Sequence, residues 1–183
     1  MTIESMNRNI TIIALAWISF SCTGITVTNS VVPNILNIKG HDFEGIILTA
    51  GYIMPQPSDT IINRFTPTRE EIEFLEKIIE DSIKYLNRDR LNQDNSNPVI
   101  DENLHKYFRQ YVGFLDANGN KIIFVNMLWN RWSLRDRFKG FADPREGLHD
   151  GFVQVFDGGS RYWQIKVNIT LKVIAEFSVN GNG

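Results

Sequence analysis

The sequence predicts an α+β fold in which one long amphipathic helix packs on a mostly antiparallel sheet of four to six strands. Three observations predict it: a strand-like apolar run, then a capped helix with an apolar stripe, then apolar segments separated by tight turns. With 183 residues, the chain has the length of one domain plus a leader or linker.

The part of the chain before the helix divides into three predicted segments. Residues 1–21 are predicted to be a signal peptide. Residues 22–44 are rich in Thr, Val, Ile, Asn and Ser with Pro33 in the middle, so we expect a tether and an irregular N-terminal segment. Residues 45–54 are typical of a strand, which Pro55 and Pro57 end. A single domain is therefore predicted over residues 45–183.

The helix is predicted to begin at Thr68, because Thr68 and Glu71 have the spacing of a capping box. Large aliphatic residues then recur at helical spacing and form one stripe toward the sheet: Ile72, Leu75, Ile78, Ile79, Ile83 and Leu86. On the opposite face, Glu73 with Lys77 and Glu80 with Lys84 are predicted to form exposed ion pairs. The helix should end between residues 87 and 91.

The second half is predicted to be strands joined by tight turns. Residues 107–115 and 121–129 flank Asn118-Gly119, a strong hairpin signal. Residues 152–156 and 161–169 flank Asp157-Gly-Gly-Ser160, which predicts a second hairpin, and residues 173–179 supply a last strand. This order of helix and strands is similar to that of the cystatins. The cystatin wedge sequence Gln-x-Val-x-Gly is not matched by Gln110-Tyr-Val-Gly113, so protease inhibition is not implied.

The N-terminal leader has the features of a secretory signal. Residues 10–20 are apolar apart from Thr11 and Ser19, and Arg8 precedes them. Eleven helical residues rise only about 16 Å, which is too short to span a bilayer core of ~30 Å but fits a signal peptide. Ser19 and Ser21 place small residues before Cys22, as a cleavage site requires.

At Cys22 the leader resembles a bacterial lipoprotein signal, in which the cysteine after the cut is lipidated and becomes the mature N-terminus. The chain resembles lipoproteins of the Bacteroidota type, through the leader with Cys22 and the C-terminal Asp157-Gly-Gly-Ser-Arg-Tyr-Trp and Phe177-Ser-Val-Asn-Gly181. The resemblance implies a membrane anchor at Cys22 and a place in the cell envelope, at the outer membrane or its periplasmic face. It implies no activity.

Composition excludes several classes. A single cysteine excludes an internal disulfide framework and Cys-rich metal sites, and a formal net charge of -2 does not favour nucleic acid. No catalytic or phosphate-binding motif occurs, so no cofactor, metal or catalytic residue is assigned.

The alternative reading is a small envelope hydrolase or metal-dependent enzyme. The histidines are His41, His105 and His149, and two of them stand in the pairs His41-Asp42 and His149-Asp150. Such pairs can supply metal ligands or acid–base groups, with His149 and Asp150 as the first candidates. No short spacing links the three histidines, so loop or capping roles are the simpler interpretation.

One segment has the composition of a ligand surface. Residues 129–145 carry five basic against two acidic side chains, interleaved with aromatic rings that can stack on a ligand. The candidate surface is Trp129, Arg131, Trp132, Arg135 and Arg137. Its expected partner is a glycan, an anionic lipid headgroup or another envelope protein; the alternative is a strand connection whose rings pack on the sheet and whose arginines are solvated.

Together these observations predict an exported, lipid-anchored cell-envelope protein whose domain is a non-enzymatic binding or interaction module.

Overall fold

The computed structural model describes residues 24–55, 63–93, 97–138, 140 and 142–181, with the side chains of Arg135 and Asp136 outside this description. The predicted α+β class is confirmed. Within the described residues, a helix of 18 residues, α1 (Arg69–Leu86), packs on a mostly antiparallel sheet of eight strands. Two more strands than the upper expected number are therefore present.

The strands run along the chain as β1 (Thr26–Asn29), β2 (Ile35–Lys39), β3 (Glu44–Leu48), β4 (Arg64–Phe65), β5 (Tyr107–Leu115), β6 (Lys121–Trp129), β7 (Tyr162–Asn168) and β8 (Val173–Val179). Their order in the sheet is β1-β2-β3-β5-β6-β7-β8. Only β3 and β5 pair in parallel among these strands, and β4 pairs with β5 beyond the end of β3.

The N-terminal segment differs most from the expectation. Residues 22–44, expected to be a tether and irregular, contain β1 and β2, which pair with each other and continue through β2 into β3. Pro33 lies in the turn between the two strands rather than in a linker, and Asn34 adopts a left-handed φ of 62° there. The two strands are only four and five residues long, so the alternation of apolar and polar residues along them is too short to be recognised in the sequence.

The second predicted hairpin is wrong. Residues 152–156 are not a strand of the sheet, and β7 pairs instead with β6 and β8. The side-chain amides of Gln110 and Asn126 hold the 152–156 segment against one face of the sheet. Val153 N donates to Gln110 Oε1 at 3.0 Å, and Asn126 Nδ2 donates to the Val153 carbonyl at 2.8 Å. The 152–156 segment has the apolar composition of a strand, but side chains of the sheet bind its backbone in place of a neighbouring strand.

Helix α1 begins as predicted. Thr68 Oγ1 accepts from Glu71 N at 3.2 Å, and Glu71 Oε2 accepts from Thr68 N at 2.9 Å, which completes the capping box. The predicted Glu–Lys pairs are wrong in register, since the ion pairs along the helix are Arg69–Glu73 and Lys77–Asp81. Both pairs lie at the surface, although Glu73 is half-buried, and such surface pairs contribute little to stability.

The sheet is covered on both faces. One face packs on α1 through Ile72, Leu75, Ile79 and Ile83, against Tyr111, Val125, Met127, Trp163 and Ile165. The other face packs on residues of the 142–157 segment, with Leu148, Phe152 and Val153 against Phe108, Leu128 and Tyr162. Strand β5 is therefore buried on both sides, which explains why its sequence shows no alternation.

Candidate functional site

The predicted aromatic and arginine surface is divided by the fold. Trp129, the last residue of β6, packs edge-on against Tyr107 with ring centroids 5.3 Å apart, and so belongs to the edge of the core. The short helix α2 (Leu134–Phe138) follows it. Arg131 is exposed, and its Nη1 donates to the Asn130 carbonyl at 2.7 Å. The side chain of Arg135 lies outside the described residues.

Two guanidinium groups lie near the ring of Trp132. The guanidinium carbon of Arg137 lies 5.1 Å from the ring centroid, and that of Arg145 lies 5.8 Å from it. Arg145 also binds Asp143 through two contacts, Nε at 2.8 Å and Nη2 at 2.7 Å. These contacts lower the pKa of Asp143 to about 2, so its carboxylate is ionised across the physiological range. The fold therefore gathers Trp132, Arg137 and Arg145 and separates Trp129 from them.

The histidines of the enzyme alternative occupy different surroundings. His41 is exposed and its Nδ1 contacts Asp42 Oδ1 at 2.6 Å, which raises the pKa of His41. His149 lies edge-on to Phe108, with ring centroids 4.7 Å apart. His105 lies in a single 3₁₀ turn before β5. Asp150 is exposed in the loop after His149.

No group of three or more His, Cys, Asp or Glu side chains suited to a metal ion gathers within the described ranges. His149 does line an open depression of about 490 Å³. Its other lining residues are Glu44, Asn130, Asp143, Arg145, Glu146 and Leu148.

Cys22, the predicted lipidation site, lies outside the described residues. The described chain begins at Gly24, and Ile25 is already buried in the core beside α1. None of the helices in the described part of the chain has the length and apolar character needed to cross a bilayer.

A groove that the sequence did not indicate lies on the sheet face opposite α1. Its volume is about 330 Å³, and it runs between the 152–156 segment and strands β6, β7 and β8. Apolar side chains of the 152–156 segment form its wall, which comprises Phe152, Val153, Val155 and Phe156, and Phe124 of β6 lies beside Phe152. Polar side chains form its floor: Asn126, Gln164, Lys166, Glu176, Ser178 and Asn180. The groove therefore combines an apolar wall with convergent polar groups, as ligand sites do.

Hydrogen bonds make the groove a fixed shape. Asn180, the residue after β8, donates from Nδ2 to the Val155 carbonyl at 2.7 Å and so ties the wall to the end of that strand. On the floor, Gln164 Nε2 donates to Asn180 Oδ1 at 3.0 Å, and Ser178 Oγ donates to Gln164 Oε1 at 3.2 Å. Lys166 pairs with Glu176 at 2.6 Å, and the two side chains remain 37% and 51% exposed. The groove therefore presents one positive and one negative side chain to a ligand.

Phe156 is the most exposed part of the wall, with 78% of its surface accessible. In the sequence it ended a predicted strand, so it was expected to be part of the sheet. A signal was present in the polar alternation of β7 and β8, where Gln164, Lys166, Glu176 and Ser178 alternate with buried or half-buried apolar residues. The alternation alone could not show that an extended segment lies beside those side chains.

No protein-family model matches the chain, and neither the curated proteins nor the solved structures compared with it give a significant match.

Proposed function

We propose that the protein is an exported, lipid-anchored cell-envelope protein whose domain binds a ligand without chemical conversion. The observation that supports the anchor is the position of the first strand. Thr26, which opens β1, follows Cys22 by four positions. Cleavage before Cys22 would therefore remove the leader and leave every described strand in the mature chain.

The leader supplies the rest of the argument for export. An apolar run of eleven residues after Arg8 fits a signal peptide, and Ser19 and Ser21 are small enough for a peptidase cleft. Cys22 is the single cysteine of the chain, so it has no disulfide partner within it. A lipid thioether gives this thiol a use outside the cytoplasm.

Metabolic labelling tests the anchor. Cells that express the full chain and are fed an alkyne analogue of palmitate should yield a labelled protein in the membrane fraction. Cys22→Ala should abolish the label, because the acceptor sulfur is gone. Ser21→Ala is the matched control and should keep it, because the residue before the cut remains small. An unlabelled wild type contradicts the anchor.

The groove supports the binding role. Its floor offers amide, hydroxyl, ammonium and carboxylate groups, which together both donate and accept hydrogen bonds. Sugar hydroxyls need both kinds of partner, and the exposed ring of Phe156 offers an apolar surface to the C–H face of a sugar. We therefore assign a glycan chain of the envelope as the ligand class.

Hydrogen exchange tests the glycan assignment. Soluble peptidoglycan fragments and surface-polysaccharide fragments from the producing cell are added to the detergent-solubilised full chain. We expect slower amide exchange in residues 152–156 and β8. Phe156→Ala should weaken binding by about ten-fold or more, since burial of a Phe side chain contributes ~1.5–3 kcal/mol.

Leu171→Ala is the matched control for Phe156→Ala. Leu171 is also an exposed apolar residue, but it lies in the β7–β8 turn and does not line the groove. It should bind like the wild type. If no fragment slows exchange at the groove, or if Phe156→Ala binds normally, the glycan assignment is wrong.

A further inference from the structure

An exposed apolar pair lies on α2. Leu134 is 68% exposed and Phe138 is 90% exposed. The two residues are four positions apart in one helix, so they share a face. Single exposed apolar residues are common on protein surfaces, but two large ones on one helix face form a small apolar patch that a partner or a membrane can cover.

The same end of the sheet is where the chain enters the fold. Thr26 pairs with Lys39, and Lys39 pairs with Glu44, so these residues form one row across the strands. Two strand spacings separate Thr26 from Glu44, or roughly 10 Å. Asn130, which precedes α2, donates from Nδ2 to Glu44 Oε1 at 2.7 Å. The segment that carries α2 therefore begins beside the strand row that contains the start of β1.

The short stretch of chain between Cys22 and Ile25 sets an upper limit on the distance between this end of the sheet and an anchor on Cys22. Three residue steps separate Cys22 from the buried Ile25, and an extended chain spans at most about 11 Å over three steps. A lipid on Cys22 would hold this end of the sheet next to the bilayer. At such short range the effective concentration of membrane for α2 is high.

The charges around α2 suit an anionic surface. Two exposed arginines accompany the apolar pair: Arg131 precedes Leu134 by three positions, and Arg137 lies directly before Phe138. Residues 131–139 carry four basic residues against one acidic residue, Asp136, whose side chain lies outside the described residues. Two other nearby carboxylates have partners, because Asp143 binds Arg145 and Glu44 accepts from Asn130. Lys39 is exposed in the strand row that includes Thr26. Basic side chains beside exposed apolar ones are the pattern of interfacial membrane helices.

We propose that Leu134, Phe138, Arg131 and Arg137, the docking surface, bind the bilayer that carries the Cys22 anchor. This inference rests on the anchor in the proposed function. Leu134 and Phe138 insert at the level of the headgroups and upper acyl chains, and the two arginines contact anionic headgroups. A lipid on Cys22 attaches the chain at one point and leaves the orientation of the domain free, so a second contact with the bilayer sets that orientation. The docked orientation fixes which way the groove faces.

Fluorescence quenching by brominated lipids tests the docking surface. Lipidated full-length protein is purified from cell membranes and reconstituted in vesicles of neutral and anionic phospholipid at three to one, with bromine on the upper acyl carbons. The emission of Trp132 is taken as the difference between the wild type and Trp132→Phe. We expect quenching of Trp132 in brominated vesicles, because the ring lies next to Arg137 and α2.

Leu134→Asp and Phe138→Asp should each abolish the quenching while the protein still floats with the vesicles. Leu171→Asp, a matched change of an exposed leucine at the other end of the sheet, should leave it intact. Arg131→Ala and Arg137→Ala should each reduce the docked population by about five-fold in anionic vesicles, the effect expected for one basic residue at such a surface.

The possible failures are distinct. If the wild type floats but Trp132 is not quenched, or if Leu134→Asp and Phe138→Asp do not change the quenching, the docking surface is wrong and the anchor stands. If the wild type instead forms a dimer that Phe138→Asp dissociates, α2 is a self-interface and the membrane proposal is overturned. If the wild type does not float and behaves like Cys22→Ala, the anchor itself fails.

Discussion

Ile79→Asp should leave the domain unfolded at room temperature. Ile79 lies in the middle of α1 and has no exposed surface, and it packs in the cluster that joins the helix to the sheet. Truncating a buried Ile costs about 2–5 kcal/mol, and placing a carboxylate without a partner in the same space adds several more. The total approaches the whole stability of a typical domain, which is ~5–15 kcal/mol.

Thermal and urea unfolding, followed by near-ultraviolet circular dichroism, measure the effect. Tyr85→Asp is the matched control, because Tyr85 lies on the exposed side of the same helix and is 69% exposed. That control should melt cooperatively within a few degrees of the wild type. A soluble Ile79→Asp protein with a cooperative transition near the wild-type temperature would refute the packing of α1 on the sheet.

Removing the carboxylate of Glu76 should destabilise the domain by about 3–5 kcal/mol, the usual cost of leaving a buried charge without its partner. The Arg109 side chain is only 3% exposed, and its Nε lies 3.2 Å from Glu76 Oε2. Tyr111 Oη also donates to Glu76 Oε1 at 2.7 Å. Burial, with the charge of Glu76, raises the pKa of Tyr111 well above its usual range, so the hydroxyl stays a donor.

The comparison of Glu76→Ala with Glu73→Ala isolates burial as the cause. Glu73 pairs with Arg69 on the surface of the same helix, three residues earlier, and exposed pairs of this kind contribute at most about 1 kcal/mol. The midpoints of urea unfolding give the two free-energy changes. Equal, small changes for the two variants would show that Arg109 does not depend on Glu76 in the folded state.

The elements predicted correctly are those that local chemistry determines. The start of α1 is set by Thr68 and Glu71, whose side chains satisfy the first backbone N–H groups. The β5–β6 hairpin is set by the Asp116 carboxylate, which accepts from Asn118 N and Asn120 N, and by Gly119 at a φ of 79°. Both sets of contacts lie within four residues, so the sequence contains them completely.

The features that the sequence analysis missed or predicted wrongly depend on contacts between residues far apart in the chain. The parallel pairing of β3 with β5 joins Glu44 to Phe108 across a connection that includes α1, and nothing near either residue specifies it. The 152–156 segment has a strand-like composition, yet its place is set by Gln110 and Asn126, about forty and thirty residues earlier in the chain. The groove is a product of that placement, so it could not be predicted before the fold was known.

The predicted ligand surface shows the same limit. The composition of residues 129–145 indicated interleaved arginines and aromatic rings, and the structure gathers Trp132, Arg137 and Arg145. The sequence could not separate Trp129, which packs on Tyr107, from Trp132, because burial depends on what the ring meets. Nor could it show that Leu134 and Phe138 remain exposed on α2.

Intact-mass spectrometry of the protein extracted from cell membranes tests the lipid anchor most directly. The account predicts a mature chain that begins at Cys22 and carries the added mass of a lipid on that residue, and it predicts that Cys22→Ala yields no such species. An unmodified chain that retains residues 1–21, or one cut elsewhere without added lipid mass, would contradict it.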